Sequence, residues 1–337
     1  LRLKLTGADK QRLARRNTND AEAYRSYLKG RYYWNKRTPE GIEDAISRFQ
    51  QAIDEDPTYA LAYAGLADAH VYRSFFNLAR PRDAMPRAKT AAVKALEIDN
   101  QLAEAHVSLG YISYAYDWDW PEAQMHFDRA SALNPAYVRA HIFYPLYLAS
   151  RGRLQDALAL AKSALDLDPA SSSLRHNLAV QFYLAMQFDQ AIEQCHRTLD
   201  IDPNLADAYA VLGQAYLARA MNREAVTVLE KYSALSPGSA GSLALLGYAH
   251  ARLGERSEAL RTVEELKAMS KKSFVPAFYF ALVYAGLEDK DQAFMWLEKG
   301  YDERFNRFAY LRQEALWDPL RSDPRFSDLV RRVGIPR

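Results

Sequence analysis

Seven histidines, one cysteine and forty-two carboxylates are the residues of this chain that could do acid–base, nucleophilic or metal chemistry. Their spacing does not assemble them. There is no His-Glu-x-x-His pair, no Gly-x-Ser-x-Gly elbow and no glycine-rich phosphate loop. Cys195 stands alone, which rules out an internal disulfide and any zinc site built on several thiolates. His106 and His141 occupy one register position of adjacent repeating units, and His70 and His250 occupy another. Both positions belong to the apolar face of a helix, so these imidazoles read as core residues. Cys195 falls where Phe49 and Phe127 fall in other units and reads the same way. Asp189, Glu224 and Glu258 each precede a recurrent alanine at a helix start, where a carboxylate complements the helix dipole. The expectation is a chain without catalytic residues, metal or cofactor.

The elements that carry these residues are helical. The 337-residue sequence is 49% hydrophobic and 26% charged, with only 14 Gly and 14 Pro, which leaves little room for long loops. No apolar run reaches the ~18 residues that would suggest a membrane span. Leu1 is not a start methionine, so the chain is expected to come from a longer parent. A lone cysteine suits a reducing compartment, and the cytoplasm is the expected location. The extracytoplasmic side of a membrane-tethered parent is the alternative. Residues 1–37 hold eleven Lys/Arg against three Asp/Glu, whereas residues 38–300 hold 25 against 33. Nucleic-acid binders usually carry a basic working surface; here only the N-terminal segment is basic, so nucleic acid is an unlikely partner.

Alanines at 123, 157, 191, 225, 259 and 293 recur every 34 residues, preceded by Ala88 and Ala45. Pro135, Pro169, Pro203 and Pro237 keep the same beat, twelve residues past their alanines. Pro57 holds that place after Ala45, and Asn100 after Ala88. Between these marks the sixth unit reads Tyr209, Leu212, Gly213, Tyr216, Ala225, Leu229, Pro237. This is the pattern of tetratricopeptide (TPR) repeats, and the chain resembles that family over about eight units. The resemblance implies an all-α, right-handed superhelix of about eight helix pairs. A small residue such as Gly213 lets two helices approach closely, and Asp-Pro ends one helix and starts the next. Expected boundaries are residues 1–20 for a basic N-terminal helix ending a preceding domain, 21–300 for the repeats, and 301–337 for a C-terminal cap built on Trp317 and Phe326. Pro145 lies inside a first helix and should free the carbonyl of His141. Extra residues in three turns (Trp34 to Pro39, Ser74 to Met85, Asp117 to Pro121) suggest a secondary contact edge or local packing of tryptophan on helix ends.

The stretches Ala23 to Arg37, Tyr116 to Trp120 and Leu320 to Phe326 are similar to the C-terminal TPR regions of multidomain bacterial signalling proteins. In those the repeats follow a kinase, a winged-helix regulator or an adenylate-cyclase-like domain. That resemblance implies a regulatory module without naming a ligand. In a TPR superhelix the first helix of each pair lines the concave surface. The positions that would choose a partner here are Tyr72, Tyr111, Tyr114, Leu146, His176, Val180, Tyr183, Gln214, Leu217, Tyr248 and Arg252. The family's Lys/Asn carboxylate clamp is missing, since Ala64 and Asp68, Val107 and Tyr111, Ile142 and Leu146 stand there. An aromatic and aliphatic trough suits an apolar protein or peptide segment, unless the chain's own termini or a second copy fill it. The expected function is a protein-interaction scaffold or regulatory module. The alternatives are a non-catalytic, substrate-presenting arm of a larger enzyme and nucleic-acid contact through the basic N-terminus.

Overall fold

The computed structural model describes residues 18–336, and none of them is in a strand. The expected helix at residues 1–20 lies almost wholly outside this range. Eight helix pairs follow one another: α1 (Ala21–Asn35) with α2 (Pro39–Glu55), α3 (Ala60–Phe75) with α4 (Pro81–Ile98), and α5 (Ala103–Ile112) with α6 (Trp120–Leu133). Next come α7 (Val138–Ser150) with α8 (Leu154–Leu167), α9 (Ser172–Leu184) with α10 (Phe188–Ile201), and α11 (Ala206–Ala218) with α12 (Asn222–Leu235). The series closes with α13 (Ala240–Leu253) and α14 (Arg256–Ser270), then α15 (Ala277–Gly286) and α16 (Lys290–Asp302). Beyond them lie two 3-10 turns, Asn306–Tyr310 and Ala315–Leu320, and a final helix α17 (Pro324–Val333). The architecture is a TPR-like α-solenoid. Its helices fall into two compact units, one comprising residues up to Ile112 with Gln124–Pro135, the other Ser113–Ala123 with Ala136 onward.

The recurrent alanines are buried in all eight pairs. On three of the first helices a glycine admits a large side chain from its partner. A Cβ placed on Gly213 would stand 2.6 Å from Leu229, on Gly30 2.6 Å from Phe49, and on Gly110 3.1 Å from Phe127. Where one pair gives way to the next, an aspartate caps the turn. The carboxylates of Asp56, Asp99 and Asp202 accept from the amides of Thr58, Gln101 and Asn204 at 2.9, 3.0 and 3.1 Å. Each thereby offers the chain a stop that helix continuation would not.

In the second unit, Pro145 leaves the His141 carbonyl without its helical donor, and the Asn177 amide of α9 fills the gap at 2.8 Å. A residue type that normally breaks a helix has become an anchor between two first helices. In the third pair the turn is not a simple loop. Residues Ser113–Asp117 widen into a π-helix, and the amide of Asp119 returns to the Ser113 carbonyl at 2.8 Å.

Within each pair, the turn joining first to second helix contains one left-handed residue. They are Arg37, Asn77, Trp118, Gly152, Met186, Ala220, Gly254 and Glu288, with φ between 55° and 87°. From Trp118 onward they keep the 34-residue period, yet only Gly152 and Gly254 are glycines. An L-residue there costs about 1–2 kcal/mol relative to glycine, against the ~0.5–1 kcal/mol of chain entropy that glycine adds to unfolding. Ala220 is exposed and its side chain holds nothing in place. Ala220→Gly is therefore expected to stabilise the second unit by about 0.5–1 kcal/mol in urea unfolding, where the same change in a helix interior would destabilise it.

Candidate partner-binding groove

The aromatic residues expected to line a trough are present on the first helices, and they are covered. Tyr72 and Tyr111 of the first unit expose 4% and 1% of their surface; Tyr114, Tyr183 and Tyr248 of the second expose 0%, 2% and 4%. Gln214 and Leu217 are also buried, Leu146, His176 and Val180 are half-buried, and Arg252 is exposed. An open aromatic strip is thus not what the molecule presents. In the first unit Tyr72 meets the edge of Trp34 at 5.2 Å, while the guanidinium of Arg37 lies 4.4 Å over its ring.

In the second unit the cover is the C-terminal segment. Tyr310 meets Tyr114 hydroxyl to hydroxyl at 2.8 Å, and the Gln313 amide donates to the Ser150 carbonyl at the end of α7 at 3.4 Å. Trp317, wholly buried, sets its edge against Phe278 of α15 with ring centres 5.0 Å apart. Arg307 donates twice to Glu314, at 2.9 and 2.5 Å. Burial works against the Arg307 charge, but the adjoining carboxylate outweighs it and leaves the guanidinium pKa above its ordinary value. Burial first, and the Glu314 charge second, push the Tyr183 phenol well up. Helix α17 is clamped to α16 by Arg325 on Asp291 and Arg332 on Glu298, each at 2.9 Å.

The turn insertion at Asp117–Pro121 is where the end of the chain comes to rest. Trp118 packs against Tyr301 at 5.0 Å with Arg304 stacked 3.9 Å over it. The indole of Trp120 donates to the Val333 carbonyl at 3.3 Å, and Arg151 donates to that of Gly334 at 3.3 Å. Trp118 and Trp120 thus rest on the C-terminal part of the chain. Beside the segment lies an opening. A cleft of about 480 Å³ is lined by Leu217, Ala218 and Ala220, by Tyr248 and Arg252, by Glu288 and Lys290, and by Ala315, Leu316, Asp318 and Pro319. Arg252 is paired there with Glu288 at 2.5 Å. Three of the expected groove residues, Leu217, Tyr248 and Arg252, meet in this cleft.

The histidines and the thiol do not form a reactive site. In the first unit His106 and His126 face each other through Nδ1 at 2.9 Å, both buried. Burial lowers both, and the neighbouring His106 adds to that at His126, which falls to about 4. Burial pushes the Cys195 thiol up to about 12, far from the range of a nucleophilic thiolate. Among the described residues no three His, Cys, Asp or Glu side chains converge to hold a metal. No described helix is long and apolar enough to cross a membrane.

No family model matches the chain. The transcriptional regulator HilA of Salmonella typhimurium is 26% identical to it over 155 residues, which are 46% of this chain and 28% of HilA. Human tetratricopeptide repeat protein 6 is 35% identical over 77 residues, 22% of this chain and 15% of that protein. The matched part is thus less than a third of either curated relative. Among solved structures, a human IFIT1 dimer with PPP-AAAA aligns over 82% of this chain and 72% of its own, at 17% identity and a TM-score of 0.58. A tetratricopeptide repeat protein from Parabacteroides merdae aligns over 80% of this chain and 100% of its own, at 14% identity and a TM-score of 0.55. Both show the TPR fold and nothing finer.

Removing residues after Gly300 should uncover Tyr114, Tyr183 and Tyr248 together, with an increase in dye binding to exposed apolar surface and in aggregation. Trp317→Ala alone should cost about 3–5 kcal/mol in urea unfolding. A truncated chain that melts and stays dispersed like the whole one would mean that the segment is not part of the core. In the first unit the imidazoles of His106 and His126 are held neutral, so the unfolded chain binds protons before the folded one does. The contribution of His126 is full above the ordinary value of 6.5 and is lost as the pH falls toward about 4, and that of His106 is lost in the same direction. His126→Gln should flatten the fall in melting temperature across that window, and an unchanged slope would show that the pair does not titrate with folding.

Proposed function

We propose that this chain is the partner-binding module of a bacterial regulatory protein, with a protein or peptide segment as its ligand and no chemistry of its own. The sequence match to a transcriptional regulator supports the regulatory setting. It covers only part of that protein, so kinase, winged-helix and cyclase-like parents are all compatible with it. A regulator of this kind would work in the cytoplasm.

The observation that carries the reading is the cleft left open beside the C-terminal segment. It joins apolar surface from Leu217, Leu316 and Pro319 to the ring of Tyr248, and places Lys290 and Arg252 at its border. That combination suits an extended segment which buries one or two apolar side chains and lays polar backbone along the rim. The ligand would read the C-terminal segment and the first helices together, since both supply walls.

A photo-cross-linking residue at Ala218 in the full chain, in cells that produce it, should capture a discrete protein. The same residue at Leu167, exposed at the end of a second helix, should not. Arg252→Ala with Lys290→Glu should weaken capture at Ala218 by about tenfold, a loss of ~1.4 kcal/mol. Equal capture at Ala218 and Leu167, or capture indifferent to both substitutions, would remove the cleft as the site.

A further inference from the structure

The outer face of α1 is built differently from the same face of an inner pair. Gly30 receives Phe49 as Gly213 receives Leu229, which puts α1 and α11 in register. On α11 that register places Ala208, Val211, Leu212 and Ala215, all buried against neighbouring helices. On α1 the equivalent residues are Arg25, Leu28, Lys29 and Tyr32, and all four are exposed. Among the described residues no helix covers them. Residues 25, 28, 29, 32 and 36 follow the i, i+3, i+4 ladder and therefore share one side of the helix. Leu28 exposes 47% and Tyr32 61% of its surface, one turn apart, with Arg25, Lys29 and Lys36 alongside. Among the described residues Glu22 is the only carboxylate bonded to this face, paired with Arg25 at 3.1 Å. Among the described residues neither Lys29 nor Lys36 has a carboxylate partner.

We propose that this face of α1 docks an acidic amphipathic helix of another protein, its apolar ridge on Leu28 and Tyr32 and its carboxylates on Lys29 and Lys36. The proposal rests on the reading of the chain as an interaction module but uses a different surface from the cleft of the second unit. Charge decides among the occupants. Residues 1–17 carry six Lys/Arg against one Asp, so they would meet this basic face with like charge. A nucleic acid would look for bare aromatic faces between cations. Here the face carries a single ring, Tyr32, with Lys36 4.8 Å over it, so successive bases would find no row of rings to stack on. What the face offers is the ammonium groups of Lys29 and Lys36 beside Leu28 and Tyr32, with Arg25 already paired to Glu22. Carboxylates spaced along a helix with leucine or phenylalanine between them complement that arrangement.

The test uses the full chain and a display library of random helical peptides about sixteen residues long. Enriched peptides are expected to carry net negative charge with large apolar residues one turn apart, and to bind more weakly as salt is raised. Their affinity should fall about tenfold or more in Lys29→Glu/Lys36→Glu, and by a similar factor in Leu28→Ala/Tyr32→Ala. All four positions are exposed, and unchanged circular dichroism and melting would confirm that both variants fold. A library that enriches neutral or basic peptides, or none, would overturn the proposal. Peptides captured by the photo-cross-linker at Ala218 and indifferent to the α1 substitutions would also overturn it, while leaving the cleft reading intact. So would a single-stranded oligonucleotide that binds this face more tightly than any selected peptide. A concentration-dependent dimer that dissolves in Lys29→Glu/Lys36→Glu would assign the face to a second copy and overturn it too.

Discussion

A pair of helices fourteen or so residues long has no interior of its own; it has two faces that must be buried against something else. The contact that makes this possible is a large side chain of one helix set into a gap on its partner. Phe49 fills the gap at Gly30, Phe127 that at Gly110, and Leu229 that at Gly213. A Cβ at Gly30 or Gly213 would force the side chain set there to shift, and one at Gly110 would need Phe127 to give by a few tenths of an ångström. The buried alanine four residues before each large side chain then faces a closely spaced neighbour. Interaxial distance is set by the side chains at the contact, so the period of the sequence and the period of the stack are one constraint seen twice.

A stack held only by such neighbour contacts would be additive along its length, each pair depending on the next and on nothing further. The second unit does not follow that rule. Tyr114 and Tyr310 lie 196 positions apart in sequence, and Trp120 and Val333 lie 213 apart, yet each couple shares a hydrogen bond. The unit's first element is thus bonded to its last, so pairs within it cannot fray independently. This closure also decides what the first helices can offer. Tyr183 and Tyr248 are interior residues of a folded core, and the energy that large aromatics commonly supply at an interface is spent inside the chain.

The eight pairs could be read from alanine and proline spacing because those residues mark contacts made within 34 positions, where the sequence repeats. Pro145 was legible for a related reason: a proline inside a helix must free a carbonyl, and the only open matter was the donor, which proved to be Asn177. Other features left no such mark. The left-handed turn position is periodic in the structure but is filled by Arg, Asn, Trp, Met, Ala and Glu as well as Gly, so composition does not signal it. The groove residues were placed on the right helices because periodicity assigns a face. It cannot say that a non-repeating segment two hundred residues away returns to cover that face. Trp317 and Phe326 marked the segment as apolar on one side, without the reach that takes Gln313 to the end of α7.

Both proposed contact surfaces lie where the repeat is broken, since much of the repeat itself is consumed in packing. In the second unit the break is the border between the C-terminal segment and the first helices, where the cleft opens. In the first unit it is α1, which keeps apolar Leu28 and Tyr32 but exchanges small and apolar residues for Arg25 and Lys29. A helix closing a stack against water alone would need a polar outer face. A helix joined to a further repeat would need small apolar residues there, as α11 has. The face of α1 meets neither requirement. Apolar area remains at its centre, where water is a poor neighbour, and charge stands at its margin, where another repeat would have to bury it. Such a surface is complemented by a partner that brings both apolar side chains and opposite charge, which is what the proposed acidic helix would supply.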